Sequence, residues 1–420
     1  MTTAQDWQRK PLGEVADLCL GKMLDQNKNK GDLFPYLANV NVRWGEFSLD
    51  GLRTMRFESK EKERYGLKFG DIVMCEGGEP GRCAIWKDQV PGMMIQKALH
   101  RIRPSAVLDY RFVYYNLLSI GQSKGFDQFF TGATIKHLPL EKLAKVEVTI
   151  PPLPVQRRIA GILSAYDELI ENSQRRIRLL EDMARALYRE WFVHFRFPGH
   201  DSVPRLASAL GDIPQGWEVT TLDNVTTKIG SGATPRGGKG AYKSEGISLI
   251  RSMNIYDYEF ELADLAFIDD EQAAQLDNVT VQARDILLNI TGASVCRCSM
   301  VPSHLLPARV NQHVAIVRAD TRCMDPFYLL DTINNDHNKQ KLLNLAQGGA
   351  TREALTKETI CNFPILLPPR ELLTRYGHVA GAMHAQRETL ALRIQNLRRT
   401  RDLLLPRLLS GQVALADVSN

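Results

Sequence analysis

Short apolar runs separated by Gly, Asp and Asn occupy the first part of the chain and return in a later part. They include DIVMC at 71–75, KVEVTI at 145–150, DILLN at 285–289 and VAIV at 314–317. Runs of this length between turn-forming residues are typical of strands. The pattern therefore predicts two irregular, mostly β domains.

A different spacing follows each Pro-Pro pair, at 151–152 and 368–369. Proline is accepted in the first turn of a helix but not further in, so each pair indicates where a helix begins. Beyond each pair, apolar residues recur in alternating steps of four and three, which is the heptad seam of a coiled coil. The first seam comprises Ile159, Leu163, Tyr166, Ile170, Ser173, Ile177, Leu180, Ala184, Leu187 and Trp191, and the second comprises Tyr376, Ala380, Met383, Arg387, Leu390, Ile394, Leu397, Arg401, Leu404 and Leu408. Each seam covers about 33 residues, so each helix is predicted to be about 50 Å long.

The chain also repeats itself. Residues 131–159 read TGATIKHLPLEKLAKVEVTIPPLPVQRRI and residues 348–376 read GGATREALTKETICNFPILLPPRELLTRY, and 348 minus 131 is an offset of 217. Near the start Trp7 matches Trp217, where the offset is 217 minus 7, or 210. Small loop insertions explain this drift. The sequence therefore indicates two diverged copies of one unit of about 210 residues.

These patterns predict an α+β fold in which two mostly β domains are separated by two long helices that form an antiparallel coiled coil. The tandem copies would be related by a pseudo-twofold axis. The predicted segments are a first domain at 1–150, a first helix at 151–192, a linker rich in Pro, Gly and Ser at 193–216, a second domain at 217–367, a second helix at 368–409 and a tail at 410–420. Such a protein could present its domains to two groove segments of duplex DNA about 34–36 Å apart.

Composition adds little to this picture. A chain of 420 residues with 44% hydrophobic content is ordinary globular material, and a formal charge of +5 permits a polyanionic partner without requiring one. Seven cysteines are an odd number, the start MTTAQDWQRK has no apolar signal core, and no apolar run approaches the roughly 20 residues of a membrane span. We therefore expect a reduced, cytoplasmic protein that does not enter a membrane.

Motifs for catalysis or metal binding are missing. The stretch GSGATPRGGKG at 230–240 lacks the glycine spacing and the Ser or Thr after Lys of a P-loop, which favours a flexible surface loop. Cys296 and Cys298 are one residue apart, where zinc sites use two to four, so we expect partly buried thiols. There is no Asn-Pro, so the Asn-Pro-Pro-aromatic tetrapeptide expected of a DNA amino-methyltransferase is absent.

Polar and basic residues occur at equivalent loop positions in the two copies, although any one of them could be polar only because it faces water. Asn and Gln can bond adenine in the major groove, and Arg can bond guanine. The Gly-Ala-Thr turns, each followed by a basic residue, could hold a phosphate or only connect two strands. The predicted DNA-binding residues of the first domain are Lys22, Asn39, Asn41, Arg43, Glu79, Arg82, Gln96, Lys97, Thr134 and Lys136. Those of the second domain are Ser231, Thr234, Arg236, Arg251, Asn254, Tyr256, Thr291, Arg297, Asn311, Gln312, Thr351 and Arg352.

The helices carry the predicted contacts with other subunits. The residues assigned to this subunit interface are Tyr166, Ile170, Ile177, Trp191, Met383, Leu390, Ile394 and Leu397. Arg387 and Arg401 fall on the seam itself. Either they pair with acids of the first helix, such as Glu171 or Glu181, or they mark a contact with another chain.

Further motifs are ALYREWFVHFRFPG at 186–199, GDIPQGWEVTTL at 211–222 and LLSGQV at 408–413. Together with the Gly-Ala-Thr turns and the Pro-Pro pairs, their order and spacing resemble the specificity subunits of Type I restriction-modification enzymes over nearly the whole chain. One departure is that the first copy lacks the Gly-x-Ile-Pro-x-Gly-Trp segment of the second and begins at Asp6-Trp7.

The resemblance implies a non-catalytic chain with two target recognition domains, each reading one half of a bipartite, asymmetric DNA site, while the helices set the gap. It implies assembly with two modification subunits, which methylate adenine with S-adenosylmethionine, and two restriction subunits, which use ATP and magnesium to cleave DNA. This chain itself would bind no cofactor and no metal.

Two alternatives belong to other classes. A self-contained methyltransferase or nuclease would have to modify or cut DNA as the purified chain alone. A coiled-coil adaptor whose β domains bind protein or RNA would lack the steep salt dependence of binding to duplex DNA.

Overall fold

A computed structural model describes residues 7–23, 25, 29–347 and 353–413. The chain divides into two compact units. Unit 1 comprises Met1–Ser173 and Arg393–Asn420, and unit 2 comprises Gln174–Leu392. Each unit therefore contains one β domain and a part of each long helix, whereas the predicted segments separate domains from helices. The predicted segment boundaries stay predictions.

The described part of the β domain of unit 1 contains nine strands and four helices of 4 to 13 residues before the first long helix. The strands are β1 (Gln8–Pro11), β2 (Ala16–Leu20), β3 (Asp32–Leu37), β4 (Arg53–Phe57), β5 (Ile72–Cys75), β6 (Cys83–Ile85), β7 (Met94–Ile95), β8 (Leu99–Pro104) and β9 (Glu147–Ile150). The helices are α1 (Leu12–Val15), α2 (Lys62–Tyr65), α3 (Tyr110–Gln122), α4 (Leu140–Leu143) and the long α5 (Leu153–Tyr188).

Three sheets form the β domain of unit 1. A four-stranded antiparallel sheet has the order β2-β8-β5-β6, and a three-stranded sheet has the order β4-β3-β7, with β3 and β7 parallel. The terminal strands β1 and β9 pair with each other, which closes the domain just before α5. The predicted strands at 71–75 and 145–150 are confirmed.

Unit 2 has the same order of elements with additions. A π-helical turn (Arg189–Val193) follows α5. The strands are β10 (Arg205–Ser208), β11 (Gly211–Pro214), β12 (Glu218–Thr221), β13 (Thr226–Ser231), β14 (Ile247–Ile250), β15 (Ile255–Tyr256), β16 (Glu259–Phe260), β17 (Ala266–Ile268), β18 (Thr280–Val281), β19 (Ile286–Asn289), β20 (Cys298–Met300), β21 (Ala308–Val310), β22 (Val314–Ala319) and β23 (Pro364–Leu367). The helices are α6 (Asp270–Gln275), α7 (Pro326–Asn334), α8 (Asp336–Gln347), α9 (Lys357–Cys361) and the long α10 (Arg370–Leu409).

The sheets of unit 2 reproduce those of unit 1. The order β13-β22-β19-β20 corresponds to β2-β8-β5-β6, and β17-β14-β21-β18 corresponds to β4-β3-β7 with one strand added. β14 and β21 are parallel, as β3 and β7 are, and β12 pairs with β23 as β1 pairs with β9. The predicted strands at 285–289 and 314–317 are confirmed, and so is the internal repeat.

An identical ion pair lies in the four-stranded sheet of both copies. Asp71 is 1% exposed and accepts two hydrogen bonds from Arg103, Nε to Oδ1 and Nη2 to Oδ2, both at 2.7 Å. Asp285 is 0% exposed and accepts the same two bonds from Arg318, again at 2.7 Å. Paired N–H groups of a guanidinium match a carboxylate well, so each buried charge is neutralised in place.

The helical seams are confirmed, because none of their twenty residues is exposed. In unit 1, Ile159 and Leu163 share a core with Leu405 and Leu408. In unit 2, Glu181 pairs with Arg387 at 3.3 Å, and the ring of Phe192 lies 4.8 Å from that of Tyr376. From the first of these contacts to the second, the residue number rises from 181 to 192 on one side and falls from 387 to 376 on the other. The two helices of unit 2 therefore run antiparallel. Each helix buries its apolar seam against the other, which stabilises both.

The seam arginines pair with acids of the first helix. Arg387 pairs with Glu181, as one of the two alternatives predicts. Arg401 pairs with Asp167 at 2.5 Å rather than with Glu171, which instead pairs with Lys87. In unit 1 the hydroxyl of Tyr115 also donates to Asp167, at 2.6 Å.

The eight residues predicted to contact other subunits all lie on the two helical seams, and their contact with other subunits stays a prediction. Ile170, Leu390 and Ile394 are 5%, 5% and 7% exposed, and the other five are half-buried. Two helices that pair with each other use their seam positions mainly against one another, which accounts for this burial.

The predicted linker at 193–216 is more ordered than its composition indicates. β10 and β11 form a hairpin within it, and Phe197 and Ile213 are buried in the core of unit 2. Among the residues that the structure describes, every helix is too short or too polar to serve as a membrane span.

A buried carboxyl group lies where the β domain of unit 2 meets α10. Asp331 on α7 is 1% exposed, and its Oδ2 accepts a hydrogen bond from the hydroxyl of Tyr376. Burial raises the pKa of Asp331 to about 7, against about 3.9 for an ordinary Asp. Burial likewise raises the pKa of Tyr376 and of the neighbouring Tyr258 well above 10, so both tyrosines stay neutral.

We expect Asp331→Asn to change the pH dependence of stability. Between about pH 4 and 7 the unfolded state releases a proton that the folded state keeps, so the wild-type free energy of unfolding falls as pH rises through this window. The decrease is at most about 4 kcal/mol, since one pKa unit corresponds to about 1.4 kcal/mol. The variant has no group that titrates at this position. The free energy of unfolding of the variant minus that of the wild type, measured by urea unfolding, should therefore increase from pH 4 to 7 and stay constant above pH 7. A difference that does not vary with pH would contradict the assignment.

Candidate nucleic-acid interface

Five segments of unit 1 meet at one edge of its sheets, and we call this surface loop edge 1. The segments are 21–23, 38–44, 76–82, 96–98 and 131–137. Lys22 N donates to Ile95 O at 3.0 Å, and Leu138 N donates to Glu76 O at 2.8 Å. Backbone hydrogen bonds between segments far apart in sequence hold this edge together.

Loop edge 2 is the equivalent surface of unit 2. Its segments are 231–236, 251–256, 291–297, 311–313 and 353–354. Ala233 N donates to Val310 O at 3.1 Å, and Leu355 N donates to Ile290 O at 2.8 Å. These bonds join the same positions of the repeat as the bonds of loop edge 1, so one backbone framework is built twice.

A groove with a volume of about 710 Å³ opens on loop edge 1. Its lining residues are Trp44, Gly78, Glu79, Pro80, Arg82, Ala133, Thr134, Ile135 and Lys136. Lys136 is exposed and its Nζ lies 5.5 Å from the ring of Phe130. Arg82 pairs with Glu79, and its Nη2 donates to Asn39 O at 3.0 Å. The groove thus combines cations, a hydroxyl and an indole ring, which suits a nucleic acid.

Loop edge 2 carries different side chains on the same framework. The guanidinium of Arg297 lies 4.4 Å from the ring centroid of Tyr256, and Thr234 bonds the amide of Gln312. Thr291 Oγ1 and His313 Nδ1 are 2.7 Å apart. The other ring nitrogen of His313 faces the Gln312 amide at 3.2 Å rather than a carboxylate, so the ring is not oriented as in a catalytic triad. The cluster offers hydrogen-bond donors and acceptors.

Two of the four asparagines predicted to bind DNA, Asn41 and Asn254, use their amides within the protein. Asn41 Oδ1 accepts from Ala38 N at 3.0 Å, and its Nδ2 donates to Ser48 O at 3.0 Å. Asn254 makes the same pair of bonds, from Arg251 N at 3.0 Å and to Glu261 O at 2.9 Å, and it is 0% exposed. Asn254 is therefore a structural residue, because its amide satisfies two backbone groups that would otherwise be buried unpaired.

Two other predicted DNA-binding residues, Lys22 and Asn311, also use their polar groups within the protein. Lys22 is 3% exposed, and its Nζ donates to Arg56 O at 3.0 Å and to Glu61 Oε2 at 2.6 Å. Its charge is neutralised inside the domain, so it is not available to a phosphate. Asn311 is 9% exposed, and its Oδ1 accepts from His313 N at 3.2 Å.

The remaining predicted residues lie on the two loop edges. Those of loop edge 1 that are exposed are Arg43, Glu79, Lys97, Thr134 and Lys136, while Asn39, Arg82 and Gln96 are half-buried. Those of loop edge 2 that are exposed are Ser231, Thr234, Arg236, Tyr256 and Gln312, while Arg251, Thr291 and Arg297 are half-buried. Thr351 and Arg352 lie outside the described residues.

Two residues outside the predicted set belong to these surfaces. Trp44 lines the groove and is 42% exposed, and His313 joins Thr291 to Gln312. Each is next in sequence to a residue that was in the set, Arg43 and Gln312. Adjacency in a loop was the signal that could have added them.

Within the described ranges, no three His, Cys, Asp or Glu side chains come together as a metal-binding group. Burial raises the pKa of Cys296 to about 12 and that of Cys298 well above its ordinary range. Thiols that stay protonated are poor zinc ligands, so these two fit the predicted buried thiols.

We expect the main effect of Asn254→Ala to be a loss of protein stability rather than a loss of binding. The change leaves Arg251 N and Glu261 O without the partners that the amide provides, at a cost of about 2 kcal/mol. Urea unfolding should show a corresponding decrease for Asn254→Ala and little change for Asn224→Ala, whose side chain is exposed. If Asn254→Ala were as stable as the wild type, the structural assignment would be wrong.

Sequence comparisons place this chain among known proteins. Residues 4–182 match the family model described as the Type I restriction modification DNA specificity domain. The MjaIX specificity subunit of a Type I restriction enzyme from Methanocaldococcus jannaschii is 23% identical, with 99% of this chain and 95% of that protein covered. The HindI specificity subunit from Haemophilus influenzae is 21% identical, with 97% and 100% covered.

The fold agrees with these relatives. The crystal structure of a Type I restriction-modification S subunit from M. genitalium matches with a TM-score of 0.61 and 15% identity, covering 97% of this chain and 99% of that one. At that identity the match shows a shared fold. With residues 4–182 matched by the family model and the relatives matched over nearly their full length, the chain is similar to the specificity subunits of Type I restriction-modification systems.

Proposed function

We propose that each β domain reads one half of a bipartite, asymmetric DNA site and that the two long helices set the gap between the halves. The observation that carries this proposal is one loop framework built twice with different side chains. Arg43 on loop edge 1 corresponds to Tyr256 on loop edge 2, and Lys97 corresponds to Gln312. Because different side chains bond different base edges, two unlike loop edges support two unlike half-sites.

In this proposal the chain directs other subunits to the DNA site and catalyses no reaction itself. It would direct two modification subunits, which use S-adenosylmethionine to methylate adenine, and two restriction subunits, which use ATP and magnesium to cleave DNA. Those cofactors would be held by the partner subunits. The hydrogen-bonding clusters of the loop edges support this role, since they offer donors and acceptors without an activated nucleophile.

A domain exchange tests whether each β domain reads one half-site. Replacing residues 1–150 by the equivalent part of another specificity subunit should change the sequence of one half-site and leave the other half-site and the gap unchanged. The readout is the map of methylated adenines in a host that expresses the complex. A change in both half-sites, or in neither, would contradict the proposal.

An insertion tests the role of the helices. Four residues added after Ser173, and four added near residue 395 of α10, lengthen each helix by about 6 Å, which is between one and two base-pair steps of about 3.4 Å. Coiled coils accommodate such a four-residue stutter by local unwinding. Methylation mapping should show unchanged half-sites with a gap longer by about one or two base pairs. An unchanged gap would show that the helices do not set the distance between the half-sites.

The salt dependence of binding separates this proposal from an adaptor of proteins. Lys97 and Lys136 are exposed cations of loop edge 1. If each contacts a phosphate, Lys97→Gln and Lys136→Gln should each reduce the slope of log affinity against log salt by about 1. Lys145→Gln, which removes an exposed cation outside the loop edge, is the matched control and should keep the wild-type slope. Equal slopes for all four proteins would exclude the two lysines from phosphate binding.

A further inference from the structure

We propose that Val40 and Met253 read sequence, each through contact with the 5-methyl group of a thymine in the major groove of its half-site. This inference rests on the proposed function and adds a chemical identity to part of the reading surface. Neither residue was among the predicted site residues.

Both residues occupy the centre of the same short turn. Val40 is the middle residue of a 3-10 turn (Asn39–Asn41), and Met253 is the middle residue of the corresponding turn (Ser252–Asn254). Val40 is 64% exposed and Met253 is 47% exposed. A single exposed apolar side chain needs no explanation, but an exposed apolar side chain at the same point of both copies indicates a shared purpose.

The turn that presents each side chain is rigid. As described above, the amide of Asn41 bonds the backbone on both sides of one turn, and the amide of Asn254 does the same in the other. Asn39 Nδ2 also reaches Gly77 O at 3.4 Å, and Asn289 Nδ2 donates to Ser252 O at 2.8 Å, so each turn is bonded to the neighbouring hairpin. A side chain held on an ordered turn loses little conformational entropy when it binds.

An arginine lies beside each turn. Arg43 Nη1 donates to Val40 O at 2.8 Å, which holds a guanidinium beside the first turn. Arg251 opens the second turn, and Arg297 stacks on Tyr256 next to it. An apolar group beside a guanidinium suits a polyanion that itself displays an apolar group. The thymine methyl is that group on the base edges of the major groove.

The alternative contact with DNA is a wedge pushed between base steps. Wedge residues belong to proteins that bind the minor groove and are Phe, Leu, Ile, Met or Pro. Val40 is shorter than most of these and branched next to the backbone, so it reaches a methyl group in the groove more readily than the interior of the base stack. Because one mechanism should serve equivalent positions, the methyl contact is favoured for both residues.

Removing only the thymine methyl tests the contact directly. The full chain is assembled with its modification subunits, and its site is first mapped from methylated adenines. Duplexes in which deoxyuridine replaces each thymidine of that site, one at a time, are then compared in binding. For the wild type, one position in each half-site should weaken binding about fourfold, the value of burying one methyl-sized apolar group.

Variants then connect each position with its residue. Val40→Ser should bind the thymidine and deoxyuridine duplexes equally at one position of one half-site, and Met253→Ser should do so in the other half-site only. Loss of the methyl effect with loss of the side chain is the signature of direct contact in a double-mutant cycle. Val107→Ser and Leu206→Ser, which change residues that are 65% and 51% exposed outside the loop edges, should behave as the wild type.

The outcomes distinguish a failure of this inference from a failure of the proposed function on which it rests. If the wild-type complex recognises a bipartite site but neither variant alters any deoxyuridine effect, the methyl contact is wrong while the proposed function stands. A complex that recognises no bipartite site would overturn both.

Discussion

A buried aspartate bonded by two N–H groups of an arginine holds the sheet of each β domain in one arrangement. Asp71 lies just before β5 and Arg103 lies on β8, so the pair connects two neighbouring strands and the loop that leads into them. Asp71 Oδ2 also accepts Lys68 N at 2.8 Å, and Asp285 Oδ2 accepts Gln282 N at 2.7 Å in the second copy. Because these bonds join the carboxylate to the neighbouring strand and to the loop before its own strand, they restrict the strand order around it.

That constraint separates the framework from the side chains that we propose to read DNA. The framework bonds are made by backbone groups and by a few side chains such as Asn41 and Asn254, and the bonds of these two asparagines are the same in both copies. The side chains at the exposed positions of the loop edges contribute little to those bonds. They can therefore differ between the two copies without altering the fold, which is what a protein with two unlike half-sites requires.

The long helices combine apolar packing with charge. Most seam positions are apolar, but Arg387 meets Glu181 in unit 2 and Arg401 meets Asp167 in unit 1. Moving one partner along its helix would leave a half-buried charge unpaired, so each pair favours one register of the helices within its own unit. A defined register suits helices whose proposed role is to set a distance.

The sequence by itself determined the elements whose signal is local and periodic. The seams from Ile159 and Tyr376, the strands at 71–75 and 314–317 and the repeat all follow from the spacing of apolar residues, since burial on one face of a helix or strand imposes that spacing.

Only the tertiary structure decided which polar residues are free to bind. Lys22 looked like a surface cation, yet its partners Arg56 and Glu61 are 34 and 39 residues away and enclose it. Asn254 looked like a base reader, yet its amide closes the turn that presents Met253. The partner acids of the seam arginines Arg387 and Arg401 are likewise supplied by the other helix of the chain. In each case the burial of a side chain depends on groups distant in sequence, which no local pattern reveals.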